Sequence, residues 1–270
     1  MLEHKRHIDT GTSELLCFVQ ERVAVVTMNR PEARNALSDR LTPALRQMVQ
    51  RCADDLGIGA LIITGSGGAF CAGGDIKGMG GSGGESMDER VASLRLKQRT
   101  LTGALVGLRK PTIAALPGPA AGAGLAIALA CDIRIAAQSA FVTTAYVRIG
   151  FSGDYGIGWL LTRAVGSARA RELMFFSDRI DATKCERIGL VNRVCPDESL
   201  QQEAFEAARQ LANGPKMALR FIKDNLDDAT TLDFLIAMDR EAERMIAAGQ
   251  TPDHKEAVRA FVEKREPRFG

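Results

Sequence analysis

Along the first two-thirds of the chain, short apolar runs alternate with stretches in which apolar residues recur at helical spacing. Residues 15–19 and 22–28, rich in Val, Leu and Phe, predict the two strands of a hairpin that turns at Gln20 and Glu21. Asn29, Arg30 and Pro31 break the second run. Ser38 then stands as the N-cap of a helix to about Asp54, with Leu41, Leu45 and Met48 on one face. The β-branched run 60–64 predicts a buried strand that ends in Gly65-Ser-Gly-Gly-Ala-Phe-Cys-Ala-Gly-Gly-Asp75. Ile76, Lys77 and Gly78 read as the first turn of a following helix. Residues 78–87 are glycine- and serine-rich with few apolar anchors, which predicts a mobile, disordered segment. Helical spacing returns over 90–109, where Leu94, Leu101, Leu105 and Leu108 share a stripe and predict one core-facing helix.

Lys110 and Pro111 stop that helix, and 112–116 predicts a strand. Pro117-Gly118-Pro119 turns the chain into 120–130, whose alanines and glycines allow close packing on a sheet. Strands follow at 131–137 and 140–142, helices at 156–165, 169–176 and 181–188, and a last strand at 189–194. From Leu200 the pattern is helical, ending with 252–264. Repeated strand–helix units predict an α/β fold, a largely parallel sheet wrapped by helices. The core spans residues 1–196, and 197–270 forms a helical, lid-like or trimerising region.

The glycine-rich stretch after the 60–64 strand and its echo at Gly118–Gly124 are the candidate chemistry. Glycines where a strand passes into a helix let backbone N–H groups face outward unobstructed. The helix N-terminus adds partial positive charge there. One N–H from each stretch would suit a developing oxyanion. The structural alternative is a pair of tight turns with no chemistry.

Composition narrows the rest. The chain has 270 residues and a formal charge of +2 at pH 7, so it carries no electrostatic footprint for nucleic acid or a membrane surface. The cluster His4-Lys5-Arg6-His7 reads as a solvated tail. Six scattered cysteines without CxxC pairing read as small buried hydrophobes in a reducing, cytoplasmic setting, and neither a signal peptide nor a membrane span is evident. The three histidines, His4, His7 and His254, all lie near the ends, which argues against a central Ser-His-Asp or Cys-His device and a histidine-ligated zinc. Dinucleotide, P-loop and GxSxG signatures are absent.

Five segments in order resemble the crotonase (enoyl-CoA hydratase/isomerase) superfamily. They are Asn29-Arg-Pro-Glu-Ala-Arg-Asn-Ala-Leu37, Phe70-Cys-Ala-Gly-Gly-Asp-Ile76, Lys110-Pro-Thr-Ile-Ala-Ala115, Gly118-Pro-Ala-Ala-Gly-Ala-Gly-Leu125 running into Cys131-Asp-Ile133, and Ala260-Phe-Val-Glu-Lys-Arg-Glu-Pro-Arg-Phe269. The resemblance covers nearly the whole chain. It implies a spiral of ββα units with a helical C-terminal trimerisation region, and a homotrimer or homohexamer. It implies an acyl-CoA thioester as substrate, with coenzyme A as part of that substrate and no other cofactor or metal. It places one oxyanion N–H at Ala72 and the second at Ala123, where the family most often has glycine. Gly73, Gly74 and Asp75 would line the thioester channel, and Ala33 and Arg34 would lie on the CoA-contacting loop. Phe261 and Lys264 match positions that meet CoA bound to a neighbouring subunit; otherwise Lys264 is a solvated charge.

The departure lies in the acid–base groups. Hydratases of this family use two glutamates, and the corresponding positions here are Ala126 and Tyr146. Neither 120–130 nor 141–153 contains any Asp or Glu. Asp154, in Gly150-Phe-Ser-Gly-Asp-Tyr-Gly156, resembles the aspartate that ring-opening-pathway isomerases and an aroyl-CoA dehalogenase branch place at this turn; its structural alternative is a helix N-cap. The dehalogenase reading also wants a central histidine and a tryptophan-rich pocket, which are missing. Tyr146 reads as pocket wall with an orienting role, because an ordinary phenol of pKa about 10 is a poor base at neutral pH. Cys71 has no partner histidine and reads as filler. Two functions follow as expectations. The first is an enolate-forming enoyl-CoA isomerase or hydratase with Asp154 as acid/base. The second is a non-catalytic acyl-CoA-binding paralogue that has lost both glutamates.

Overall fold

Strands without polar alternation are buried on both faces, and such strands pair in parallel at the centre of a sheet. The computed structural model describes residues 5–75, 84 and 86–270. Its strands are β1 (Arg6–Ile8), β2 (Leu15–Gln20), β3 (Val23–Met28), β4 (Ala60–Gly65), β5 (Thr112–Leu116), β6 (Ala120–Ala121), β7 (Ile133–Ala137), β8 (Phe141–Thr143), β9 (Ile180–Asp181) and β10 (Arg193–Cys195). Seven form one sheet of order β1-β2-β3-β4-β5-β7-β10, antiparallel over β1 to β3 and parallel from β3 to β10. β6, β8 and β9 make a separate small sheet. Every residue of β4 and β5 is buried. The register sets Met28 opposite Gly65, so both chains leave the sheet at one level.

The expected hairpin is present, with Glu21 and Arg22 at positive φ in its turn. The expected basic tail is corrected. Arg6 and His7 belong to β1, paired with Val19 and Phe18, and Arg6 also binds the Asp55 carboxylate at 3.0 Å; His4 lies outside the described residues. Backbone pairing at the sheet edge captures these residues irrespective of their charge.

Helix α1 (Leu41–Asp54) buries Leu41, Leu45, Met48, Val49 and Cys52. The Ser38 hydroxyl accepts the N–H groups of Arg40 and Leu41 at 3.2 and 2.9 Å, but the helix begins two residues later than expected, with Arg40 at its N-cap. The single helix expected over 90–109 is two, α2 (Met87–Arg99) and α3 (Thr102–Gly107). The Thr100 hydroxyl takes the Leu96 carbonyl at 2.6 Å and Leu101 turns to φ −115°, ending the first helix. Helix α2 buries nothing, and Leu94 is exposed; only Leu101, Leu105 and Leu108 of the stripe reach the core. Ser86 and Glu89 close a capping box that starts α2 at Met87. The helical turn expected at Ile76 to Gly78 and most of the segment expected to be disordered lie outside the described residues.

Helix α4 (Ala123–Ala130) is buried throughout. Helix α5 (Ile157–Phe176) breaks at Gly166, at φ 75°, between the two helices expected there. After α6 (Ala182–Arg187) the chain is helical in α7 (Leu200–Ala212), α8 (Lys216–Asp228), α9 (Phe234–Gly249) and α10 (Pro252–Glu263). The alanines Ala204, Ala208 and Ala212 let α7 pack on β3, β4, β5 and β7. Helix α8 buries no residue and is held by charge: Arg109 binds Asp224 and Asp227 at 2.8 and 2.9 Å, and Lys223 binds Asp132 at 2.8 Å. Among the described residues, no helix is long and apolar enough to cross a membrane.

Asn35 fixes the loop after β3. It is fully buried at φ 56°, accepts the Arg30 N–H at 2.8 Å, and donates to the carbonyls of Ser66 and Ala69 at 2.9 and 2.8 Å. Asn35→Ala leaves three buried polar groups unpaired, so denaturant melts should show a loss of about 2–4 kcal/mol with the m-value unchanged.

Candidate active site

The two glycine stretches meet backbone to backbone. The N–H groups of Phe70 and Cys71 both donate to the Pro119 carbonyl, at 3.0 and 3.1 Å, and Ala121 N–H returns a 2.9 Å bond to Cys71. Two glycines make this approach possible. A Cβ on Gly124 would sit 2.3 Å from the Cys71 carbonyl oxygen. Gly73, at φ 92°, faces the second stretch so closely that a Cβ would lie 2.9 Å from the Ala121 oxygen and 3.5 Å from the Ala123 nitrogen.

Which amides remain free follows from which are consumed. Ala72 N–H donates to the Arg34 carbonyl at 3.0 Å, because Arg34 at φ 50° turns that carbonyl onto the glycine stretch. The amide expected at Ala72 as an oxyanion donor is thus engaged by backbone in this structure. Asp75 N–H is taken by the Leu37 carbonyl at 3.2 Å. The N–H groups of Gly73 and Gly74 have no backbone partner among the described residues. On the other stretch, Ala123 is the first residue of α4, so its N–H lacks an intrahelical acceptor. Its helical φ accommodates a Cβ, so alanine in place of glycine is no obstacle there.

Tyr146 lies beside the second stretch, and Asp154 lies beside Tyr146. A Cβ placed on Gly122, the residue before Ala123, would lie 3.8 Å from the Tyr146 ring. The Tyr146 hydroxyl donates to Asp154 Oδ1 at 2.7 Å. The cap of α5 is Gly156, with no side-chain hydrogen bond, so the Asp154 carboxylate is not a helix cap. Burial raises the Asp154 pKa, and the Tyr146 hydrogen bond opposes that rise in part. Burial, and next the adjacent carboxylate, push the Tyr146 phenol far above its ordinary value. The tyrosine is therefore a hydrogen-bond donor and the aspartate the proton acceptor. The glutamate position occupied by Ala126 is fully buried inside α4.

The other expected residues fall into two groups. Ala33 and Arg34 lie on the loop that contacts the first glycine stretch, and Asp75 is held by Arg30 at 3.2 Å. Asp75 thus braces the loop through its charge. Phe261 and Lys264 are exposed at the end of α10, a helix that packs on α9. Cys71 is fully buried, its thiol pushed up to about 12 by desolvation, as filler requires. All six cysteines are free and buried. Among the described residues no three His, Cys, Asp or Glu side chains gather as metal ligands would. A cavity of about 590 Å³, walled by Arg22, Ile58, Lys110, Leu211 and Met217, holds none of the expected site residues.

The enoyl-CoA hydratase/isomerase family description matches residues 19–270, and with it the crotonase resemblance is settled. The chain belongs to this family. The 1,2-epoxyphenylacetyl-CoA isomerase of Escherichia coli (strain K12) is 35% identical over 257 residues, 94% of this chain and 97% of that protein. The mitochondrial enoyl-CoA hydratase of Pongo abelii is 34% identical over 247 residues, 92% of this chain and 83% of that one. The crystal structure of an enoyl-CoA hydratase from Polaromonas sp. JS666 has a TM-score of 0.89 at 30% identity, covering 95% of this chain and 99% of that one. The protein is an enoyl-CoA hydratase/isomerase-family enzyme of crotonase fold. Nothing in these relationships supports the non-catalytic reading.

Two measurements probe the site's construction. Gly124→Ala forces the two stretches apart, and a displacement of about 1 Å should lower kcat about 100-fold, read by steady-state kinetics, with a lower Tm. Asp154 binds its proton more tightly folded than unfolded, so its ionisation weakens the fold as pH rises above the ordinary carboxylate range. Asp154→Asn should therefore melt higher than the parent at pH 7, and the gap should close on acidification to about pH 4, close to the ordinary aspartate pKa.

Proposed function

We propose that this enzyme moves a proton on an enoyl-CoA thioester through an oxyanion-stabilised enolate. In this reading the Gly74 and Ala123 N–H groups bind the thioester oxygen, and Asp154 is the acid/base. The reading rests on the Tyr146–Asp154 hydrogen bond of 2.7 Å beside the free amide of Ala123.

The thioester makes its α-proton acidic, and two N–H donors stabilise the charge that moves onto oxygen when that proton leaves. One such donor is worth about 3–4 kcal/mol of barrier. The Asp154 carboxylate takes the α-proton, its raised pKa making it a better base than an exposed aspartate. The protonated carboxyl then returns the proton at the γ-carbon, and the double bond shifts between the β,γ and α,β positions. Tyr146 holds the carboxylate oriented by donating to its other oxygen. A single carboxylate completes this cycle, whereas the family's hydration chemistry uses two. Isomerisation therefore fits better than hydration. No cofactor beyond the substrate's own coenzyme A enters this reading, and the cytoplasm is its setting.

An oligomer also belongs to the proposal. Phe234, Met245 and Ile246 on α9 and Phe261 on α10 are large, apolar and exposed. A homotrimer or homohexamer would cover them and bring Phe261 and Lys264 to CoA on a neighbouring subunit.

Steady-state assays with a β,γ-enoyl-CoA and an α,β-enoyl-CoA test the assignment. Asp154→Asn should lower kcat about 100- to 10,000-fold on the preferred substrate; turnover at the parent rate on both would exclude Asp154. Tyr146→Phe removes a hydrogen bond that favours the ionised aspartate, so the acid limb of kcat/KM should move to higher pH.

A further inference from the structure

The Asp154 carboxylate is aimed by a backbone that would not hold its shape unaided. Gly153, Tyr155 and Gly156 all have positive φ, at 128°, 50° and 77°. For glycine that is ordinary; for tyrosine it is a strained conformation that its surroundings must enforce. The surroundings are visible. The Tyr155 ring is buried, the Asp154 carbonyl accepts the Ile157 N–H at 3.1 Å, and the Gln98 side-chain oxygen accepts the Tyr155 N–H at 3.2 Å.

The last of these contacts comes from a different part of the chain. Gln98 stands in the final turn of α2, a helix with no buried residue. Its own backbone carbonyl is held by the Thr102 hydroxyl at 3.1 Å, at the start of α3. The helix end is thereby fixed to α3, which is anchored in the core by Leu105. An apolar side chain would pack as well on so exposed a helix. The amide is used for the one thing it offers, an acceptor for a backbone N–H next to the carboxylate.

We infer that Gln98 is a positioning residue for the reaction: through the Tyr155 N–H it holds the turn that presents the Asp154 carboxylate to Tyr146 and the substrate. This inference rests on the reading of Asp154 as acid/base. It also ties the helix after the first glycine stretch to the carboxylate that follows the second.

Gln98→Met keeps side-chain length and removes the acceptor, and Gln98→Glu keeps an acceptor oxygen at the same reach. In Gln98→Met, kcat should fall about 10- to 100-fold, the scale of a carboxylate displaced by under 1 Å, with KM little changed. A loosened turn also lets water reach Asp154, so the acid limb of the pH profile should move to lower pH. Gln98→Glu should keep kcat within about threefold, and its added negative charge should move the limb to higher pH. Opposite shifts are not what a merely structural residue would give. If Asp154→Asn is inactive while Gln98→Met keeps the parent's kcat and acid limb, the role of Gln98 is wrong and the catalytic reading stands. If Asp154→Asn itself turns over normally, the catalytic reading falls first. Equal losses in both Gln98 variants, together with a drop in Tm and no movement of either limb, would reduce Gln98 to a fold contact.

Discussion

The interlocking of two main-chain segments is the constraint from which the site follows. Phe70 and Cys71 donate to Pro119, Ala121 donates to Cys71, and Ala72 donates to Arg34. Buried N–H groups must find acceptors, and these segments are packed too closely for water to supply them. The docking engages the amides of Phe70, Cys71 and Ala72. Beside it remain Gly73 and Gly74 on one side and the unpartnered N-terminus of α4, at Ala123, on the other. The close approach that creates this remainder is also what forbids a side chain at Gly73 and Gly124.

The second half of the site is built on a different principle. Where the first half spends hydrogen bonds to fix a backbone, the Tyr146–Asp154 pair keeps a carboxylate in a place that does not suit it. Burial disfavours its charge, and one phenol hydrogen bond returns only part of that loss. The consequence is a base stronger than a surface aspartate and a fold less stable than it would be without it. Such a trade is common where a group is kept for its chemistry. In the proposed reading, Ala126 and Tyr146 at the expected glutamate positions leave Asp154 as the one carboxylate for a proton shift.

Much of this was legible from one sequence because the signals were redundant. Apolar runs marked β3, β4 and β5 as strands, and the β-branched run at 60–64 marked β4 as buried. The separate helical runs at 156–165 and 169–176 matched the two halves of α5, which breaks at Gly166. Where a pattern held only one signal it misled. The leucine stripe over 90–109 was read as a single core helix, but periodicity reports which residues share a face and not whether that face is covered. The first part, α2, has no partner to bury it. The charged residues of β1 looked like a tail because edge pairing is a backbone property that side chains do not announce.

By itself, then, the amino-acid sequence determined the alternation of strands and helices, the two glycine stretches, the lack of glutamate at positions 126 and 146 and the presence of Asp154. These are properties of residue type and spacing, written locally. Only the tertiary structure decided which amides stay free, whether Asp154 caps a helix or accepts from Tyr146, and that Gln98 reaches the Tyr155 N–H. Each of those depends on which acceptor lies within about 3 Å once distant segments have packed. Arg34 and Ala72, or Gln98 and Tyr155, are far apart along the chain, and nothing in either member of a pair encodes the other.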